Sequence, residues 1–578
     1  MTLMNGGELL ARCLLEEGTR WVFGIPGGQL TTFTDAIYRV GRPAGMEFIM
    51  THHEAAAAHM ADAVSRSSDQ VGVCMGTVGP GAANLVSGVY VAYNDSIPLI
   101  AISPQIHSNR CYPFRGSMQQ LDQFSLFKPI TKWNAVVNRW DRIPELVRRA
   151  YRVATSGRPG PVHLDFPVDI LFESRDDGEI TMLPPERYRA TVQPAGDPGA
   201  VDKAVEMLLA AEKPLIHAGG GAMRAKAWDE VRKLAEYLQI PVTTSISGRG
   251  VVPEDHPLLL PTKGMGAIMA ETNADLVLNV GCTISEMDFW GQPNMWGSPS
   301  EQKFIYVDID PENIGLNREF DLGIVGDARN ILVQILEKVK KETGPVSERT
   351  FFSDYREMDD AANLGYEEMA QSDAKPIHPL RLVKETVDFF SRDGILVMDG
   401  GNINLWVNIA GRIYQPRSFL WPEGTGQLGV GLPFAMGAKL ANPGRPVFVI
   451  HGDGAFMLNP QEIETAVRYN LPVVDVIAND SAWGMIKGAQ HTSYGDRYCG
   501  VDFCGIRFDL MAESMGGRGI RVEDPADLRL ALEEAASSDR ITVIDAVIDQ
   551  EANLDVPVLS EMINNLWLAD CPEPYCEM

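Results

Sequence analysis

His451-Gly452-Asp453-Gly454-Ala455-Phe456, followed by Asn479-Asp480-Ser481-Ala482-Trp483-Gly484, is the stretch on which the reading of this chain turns. It places two carboxylates in Gly-rich turns 27 residues apart. The preceding run, Arg445 to Ile450, is β-branched and aromatic and reads as a buried parallel strand, so the Gly-Asp-Gly turn falls at a strand's carboxyl end. Asn459-Pro460 predicts a helix start, with Asn as N-cap and Pro at the first helical position, running to about Tyr469 on an apolar stripe of Ile463, Ala466 and Val467. Leu471 to Ala478 predicts a second strand. Ligands of open α/β sheets bind beyond the carboxyl ends of strands, so Asp453 and Asp480 are expected to approach one another. Magnesium takes one or two carboxylates and fills its octahedron with carbonyls, phosphates and water; Asp453, Asp480 and the carbonyl of Ala482 suit it. Asp-Gly alone is an ordinary turn dipeptide. The strand-helix-strand between the two carboxylates moves the reading toward a site for a metal and a diphosphate.

A chain of 578 residues is too long for one core and predicts several domains. The net charge of -27 argues against nucleic acid or an anionic membrane as partner. Met1 to Glu8 has neither the basic start nor the apolar core of a secretion signal. No apolar run approaches the roughly 20 residues of a membrane span. Cys499 with Cys504, and Cys571 with Cys576, lack partner histidines at zinc-type spacing, so reduced structural cysteines in a cytoplasmic protein are expected.

From Gly7 to about Ile170 helix and strand patterns alternate, as in a parallel α/β domain. Strand Trp21 to Phe23 ends in Gly24-Ile25-Pro26-Gly27-Gly28, and strand Glu47 to Met50 ends in Thr51-His52-His53-Glu54 before an Ala-rich helix. Strand Val71 to Met75 ends in the run Gly76 to Asn84, which is too irregular for a dinucleotide fingerprint. Its Gly79-Pro80-Gly81 turn suggests close backbone approach, to a ligand or to another subunit. Thr51-x-x-Glu54 has the form of a capping box; the other reading makes Glu54 a buried functional acid. His52, His53 and His59 lack the i, i+4 spacing of metal ligands and are expected to be structural, while His107 is a weak pocket candidate. After a connector through about Pro198, strand Pro214 to Ala218 ends in Gly219-Gly220-Gly221, and strand Ala274 to Val280 ends in Gly281-Cys282-Thr283; these are phosphate cradles or plain turns. Lys340 to Lys375 reads as a solvated helix and linker.

The Gly-Asp-Gly turn with its distant Asn-Asp pair resembles the thiamine diphosphate motif, in which the corresponding residues bind magnesium. Further stretches, His53-Glu54 with the Ala-rich helix, Gly79 to Gly88, Ala92 to Leu99, Met118-Gln119-Gln120 and Gly424 to Pro433, resemble the acetolactate synthase (acetohydroxyacid synthase) family over nearly the whole chain. The resemblance implies an α/β fold of three doubly wound parallel-sheet domains: pyrimidine-binding (1–175), central and nucleotide-binding-like (196–340), and diphosphate-binding (376–560), with a tail at 561–578. Glu54 becomes the acid that activates the aminopyrimidine of thiamine diphosphate, and Gln119 the pocket glutamine. Cofactor contacts are implied for Glu54, Pro80, Asn84, Gly401, Asn402, Gly426, Leu428, Gly452, Asp453, Gly454, Ala455, Asp480, Trp483, Gly484 and Met485. Mg2+ falls to Asp453, Asp480 and Ala482. Leu428 stands where a bulky apolar side chain props the cofactor into its bent form.

The implied activity is a carboligase that takes an acyl anion from a 2-ketoacid such as pyruvate and adds it to a ketoacid or aldehyde acceptor. A lyase or decarboxylase resembling benzaldehyde lyase or 2-hydroxyacyl-CoA lyase is the alternative, with a non-catalytic homologue a remote third. An acid in one domain and a metal-diphosphate site in another imply a homodimer or homotetramer with active sites between subunits. The central domain holds FAD in this family and ADP or nothing in relatives, and Cys282-Thr283 replaces the expected Ala-Arg, so FAD stays open. Ala489 stands where the family has Trp, which implies an enlarged acceptor pocket with Lys487, His491 and Arg497 as candidates for substrate recognition.

Overall fold

The structure, a computed structural model, describes residues 3–556 except 177, 179, 294 and 391, and the side chains of 362 and 363 are also left aside. The expected tail at 561–578, with Cys571 and Cys576, lies outside the described residues.

A short antiparallel pair joins β1 (Leu3–Asn5) to β8 (Ser174–Asp176) and closes the first domain. Between them β2 (Trp21–Gly24), β3 (Glu47–Met50), β4 (Gly72–Met75), β5 (Leu99–Gln105), β6 (Trp133–Val136) and β7 (Pro161–Pro167) form an all-parallel sheet in the order β3-β2-β4-β5-β7-β6. The central sheet holds β9 (Pro214–Ala218), β10 (Val242–Thr244), β11 (Leu276–Val280), β12 (Lys303–Asp308) and β13 (Leu322–Val325) in the order β10-β9-β11-β12-β13. The last consists of β14 (Ile395–Met398), β15 (Phe419–Leu420), β16 (Val447–Gly452), β17 (Val474–Asn479), β18 (Arg518–Val522) and β19 (Thr542–Val547), ordered β15-β14-β16-β17-β19-β18. The interior strands are near-continuous apolar runs because both faces are covered, as parallel sheets require. The first and third sheets share one wiring: strands taken in chain order stand as second, first, third, fourth, sixth, fifth. All three reverse direction next to their first strand, and these switch points are where α/β sheets open a crevice.

The first and third domains meet where helix Glu54–Ser67 crosses helix Gly431–Ala441. The first is rich in Ala and the second in Ala and Gly, so their backbones touch: a Cβ on Gly437 would lie 2.4 Å from the Met60 carbonyl oxygen and 2.9 Å from the Ala63 Cβ. A buried ion-pair cluster seals the crossing, with Arg66 bonded to Asp62 and, at 2.8 Å, to Asp95.

One local expectation fails and another holds. The helix after the Gly-Asp-Gly turn begins at Glu462 and Asn459 does not cap it: its Oδ1 accepts from the Gln461 side chain at 3.2 Å, while its Nδ2 donates to the Gly429 carbonyl at 2.6 Å. The segment expected as a solvated helix and linker holds the largely exposed helix Ser353–Ala370, preceded by an irregular link from the end of helix Ala328–Glu342.

Gly437→Ala gains at most about 1 kcal/mol of helix propensity. Overpacking against backbone that cannot yield costs about 1–3 kcal/mol and wins. The substitution is expected to lower the denaturant midpoint; an unchanged midpoint would refute the contact.

Candidate active site

The switch point of the third sheet lies between β14 and β16. Asp399, fully buried just past β14, accepts from Gly400 N at 2.6 Å, Gly429 N at 3.1 Å and Gly431 N at 2.8 Å, and so pins the 424–431 loop across the crevice. Gly401 and Gly426 have φ of 103° and 56°, left-handed conformations that expose backbone at close range. Leu428 lies directly on the turn, since a Cβ at Gly400 would sit 2.0 Å from its Cδ2.

Asp453 starts the single-turn helix Asp453–Phe456 after Gly452, and its Oδ1 accepts from Gly454 N at 2.8 Å. The indole of Trp483 occupies the space a side chain at Gly454 would need, 2.7 Å from its Cβ position. Asp480 follows β17; its Oδ1 accepts from Ala482 N at 3.2 Å and its Oδ2 from Asn553 Nδ2 at 2.7 Å. Ser481 between them has φ of 57°, a strained turn for a side-chain-bearing residue. Burial, followed by the charge of Asp480, pushes Asp453 well above the carboxylate range, and burial raises Asp480 as well. Two adjoining carboxylates, 1% and 7% exposed, create a need for positive charge that a divalent cation would meet.

Asn553 belongs to this centre, and no sequence signal marked it. It sits on helix Gln550–Leu554, 73 residues beyond Asp480. Besides bonding Asp480, its Oδ1 accepts from Trp406 Nε1 at 3.0 Å and its carbonyl from Asn402 Nδ2 at 2.7 Å. Gln550 donates to the Asp480 carbonyl at 2.7 Å. Asn402 Oδ1 is buried with no hydrogen-bond partner and borders the cavity, as a ligand-facing atom would.

That cavity, about 1100 Å³, is walled by Gly401, Gly426, Leu428, Gly452, Gly454, Ala455, Asp480, Ala482, Trp483, Gly484 and Met485. It continues into the central domain past Gly220, Gly221, Ser247, Gly281, Cys282 and Asp288. Ala489 does not line it and packs against the third domain's core instead. Lys487, expected to face substrate, is buried and donates to Asp502 Oδ1 and Gln550 Oε1, both at 2.6 Å. His491 is exposed and tied to Asp496 at 2.6 Å, and Arg497 donates to Tyr494 O at 2.9 Å. Helix Gly484–Tyr494 thus turns Lys487 and His491 away from the cavity, and Arg497, beyond the helix, does not line it either.

Glu54 is the first residue of helix Glu54–Ser67 and only 5% exposed. The capping box does not form: His53 caps the helix by accepting from Ala55 N at 3.1 Å, and Thr51 Oγ1 donates to His53 O at 3.0 Å. The carboxylate is thereby released from capping. Its Oε2 accepts from Asn84 Nδ2 at 2.9 Å, while its Oε1 lies 2.9 Å from where a Cβ on Gly81 would be. Pro80 opens helix Pro80–Asn94, and Gln119, with φ of 64°, packs its carbonyl against Gly79 and accepts from Gln29 Nε2 at 3.2 Å. Glu54, Pro80, Asn84 and Gln119 therefore gather at one place, and none of them lines the cavity of the third domain. His59 is inert: burial lowers it to about 4, and its ring packs edge-on to Phe434. His107 is partly exposed, with its Nδ1 3.6 Å from Asp169.

Three family models match this arrangement: the thiamine pyrophosphate enzyme N-terminal TPP binding domain over residues 4–126, the central domain over 201–335 and the C-terminal TPP binding domain over 399–546. The chain is 36% identical to a probable acetolactate synthase large subunit of Methanococcus aeolicus, covering 97% of this chain and 95% of that protein. It is 37% identical to the probable acetolactate synthase large subunit of Methanocaldococcus jannaschii (94% and 92% covered). It is 31% identical to the acetolactate synthase isozyme 3 large subunit of Escherichia coli (98% and 99% covered).

Asn553→Leu keeps the branched shape but leaves Trp406 Nε1 unpaired and removes the side-chain donor to Asp480. A cost of about 1–3 kcal/mol for the orphaned group is expected, with weaker binding of a divalent cation, probed with Mg2+ by equilibrium dialysis. Unchanged stability and metal retention would remove Asn553 from the centre.

Proposed function

The chain belongs to the acetolactate synthase large-subunit family of thiamine pyrophosphate enzymes, and from that premise we propose how its residues share the work of a thiamine diphosphate-dependent carboligase. The observation that carries the assignment is the buried, cation-seeking pair Asp453 and Asp480 at the third sheet's switch point. Thiamine diphosphate, when bound, supplies a carbon nucleophile and an electron sink for the acyl group of a 2-ketoacid such as pyruvate. Asp453, Asp480 and the Ala482 carbonyl would hold Mg2+ against the diphosphate. Gly401, Asn402, Gly452, Gly454, Ala455 and Gly484 let the backbone come close to it, and Asn402 Oδ1 turns a free acceptor into the cavity. Leu428, Trp483 and Met485 form the apolar walls that exclude water, with Gly426 beside them.

Glu54 would hold and pass the proton of the aminopyrimidine ring. With Oε2 engaged by Asn84, Oε1 is the atom that does so. Pro80 and Asn84 shape that surface, and Gln119, whose Oε1 is engaged by Gln29, keeps its Nε2 for a substrate carbonyl.

One chain carries the two halves of this site apart, so a second copy would have to supply Glu54 to each cavity. Exposed Tyr90 and Tyr93 lie on the helix that carries Asn84, and exposed Met457 and Leu458 follow the Gly-Asp-Gly turn, which gives each half an apolar rim for the partner to cover. The proposed assembly is a homodimer, or a homotetramer built from two. No helix among the described residues is long and apolar enough to cross a membrane. With the described cysteines free, the proposed compartment is the cytoplasm.

For the central domain we propose FAD. The part of the cavity beside Gly220 and Gly221 also meets Arg158 and Arg224. Arg224 is half-buried and donates to Ser65 O at 3.1 Å, and desolvation lowers it to about 9, so an anionic phosphate would compensate it.

Glu54→Ala and Asp453→Asn chains are each expected to release no carbon dioxide from pyruvate and to form no acetohydroxyacid. Mixed and reassembled in equal amounts, they should recover about a quarter of wild-type activity, because half of random dimers then carry one intact site. No recovery would place the whole site within one chain; no carbon dioxide from the wild type would reject the ketoacid donor.

Purified protein is expected to show flavin absorbance, released on denaturation at one FAD per chain. Folded, active protein free of flavin would reject FAD.

A further inference from the structure

The switch point of the central sheet, between β9 and β11, gathers a second set of chemically capable side chains. His217 lies on β9, Cys282 follows β11, and Asp288 lies in the 3-10 segment Glu286–Gly291. One ligand atom from each lies within 4.8 Å of the others. Cys282 Sγ is 3.3 Å from Asp288 Oδ2, and His217 Nε2 is 4.0 Å from Asp288 Oδ1. All three are buried, and Cys282 and Asp288 border the cavity.

His217 Nε2 is buried without a hydrogen-bond partner. The other ring nitrogen, Nδ1, lies 2.9 Å from Thr243 Oγ1 and 3.4 Å from Glu271 Oε1. An Nδ1–H held by such oxygens leaves the Nε2 lone pair directed at Cys282 and Asp288, which is how metal-binding histidines are oriented. The turn that carries Asp288 inward is strained: Phe289 and Trp290 have φ of 51° and 50°. Trp296 Nε1 donates to the Asp288 carbonyl at 2.8 Å and holds that turn in place. Unpaired nitrogen and strained delivery are both costs, and a shared ligand would offset them.

We propose that His217, Cys282 and Asp288 form a binding site for a divalent transition metal of the zinc class, with its fourth position open to the cavity. The nitrogen, sulfur and oxygen set suits a borderline-soft tetrahedral ion, whereas the oxygen ligands at Asp453 and Asp480 suit magnesium, so the two sites select different metals. Binding transfers the Cys282 thiol proton to solvent, and the thiolate and Asp288 together balance the ion's charge. Lys263, 3.1 Å from Asp288 Oδ1, is the competing cation, and Glu271 remains to offset it once the metal is in place.

The test is a Co2+ titration of metal-stripped full-length protein with thiamine diphosphate and Mg2+ in excess, read by thiolate-to-cobalt charge-transfer absorption. Expected are saturation at one equivalent per chain, loss of the band in Cys282→Ala and in His217→Gln, and several-fold tighter binding in Lys263→Met. Melting curves by circular dichroism identify any variant that fails to fold, and Lys263→Met then carries the test. Absence of the band in wild-type protein would overturn the site, as would a band that survives Cys282→Ala and disappears only with the exposed Cys499 and Cys504. Carbon dioxide release from pyruvate, measured in the same samples, reports separately on the thiamine site.

Discussion

Two carboxylates that face each other inside a protein are the constraint around which the third domain is built. Neither Asp453 nor Asp480 can be left in a dry crevice without donors, and each is given them: Gly454 N for the first, Ala482 N and Asn553 Nδ2 for the second. These neutral donors moderate the charge and do not cancel it, so affinity for a cation is preserved. A lysine or arginine in the same place would have stabilised the empty chain and closed the site. The small residues follow from the same need, because side chains at Gly454 and Gly484 would run into Trp483 and Asp480 Oδ2.

One topology serves two different tasks. The first and third sheets have the same strand order, yet the turns at their carboxyl ends carry different chemistry: a single acid against Asn84 in one, a carboxylate pair in the other. The close crossing of helices Glu54–Ser67 and Gly431–Ala441 fixes the two sheets within one chain while Glu54 stays outside the cavity that Asp480 lines. Rigid packing of the halves and their separation are consequences of the same contact. The proposed completion of the site from a second copy rests on this separation.

What was legible in the sequence was what is local. Buried parallel strands announce themselves as apolar runs, and Gly-Asp-Gly at a strand end announces a turn, so the sheets and the Asp453–Asp480 pair could be placed. Asn553 and Gln29 could not, because their partners lie 73 and 90 residues away in the chain. Thr51-x-x-Glu54 shows a local rule overridden: His53 took the capping role, which freed Glu54. Lys487 shows the opposite error, a charge beside the motif whose helix faces it toward Asp502 and Gln550. Proximity in sequence to a site does not fix the direction of a side chain on a helix, whose facing changes by 100° per residue.

The central domain has a structural part in the site whatever it binds. The loop that leads to Gly426 and Leu428 is held from three directions. Arg66 donates to Trp421 O at 3.1 Å and Asp95 accepts from Gly424 N at 2.8 Å, both from the first domain. Ser247 N, from the central domain, donates to Glu423 at 2.7 Å, and Asp399 receives Gly429 N from within the third. A Gly-rich loop has high conformational entropy and would not hold one shape by its own propensity. Tethers from all three domains supply the order that the loop's composition lacks, and they place Leu428 where it can serve as a fixed wall. Ser247 and Glu423 thereby join the central domain directly to the loop that carries Leu428.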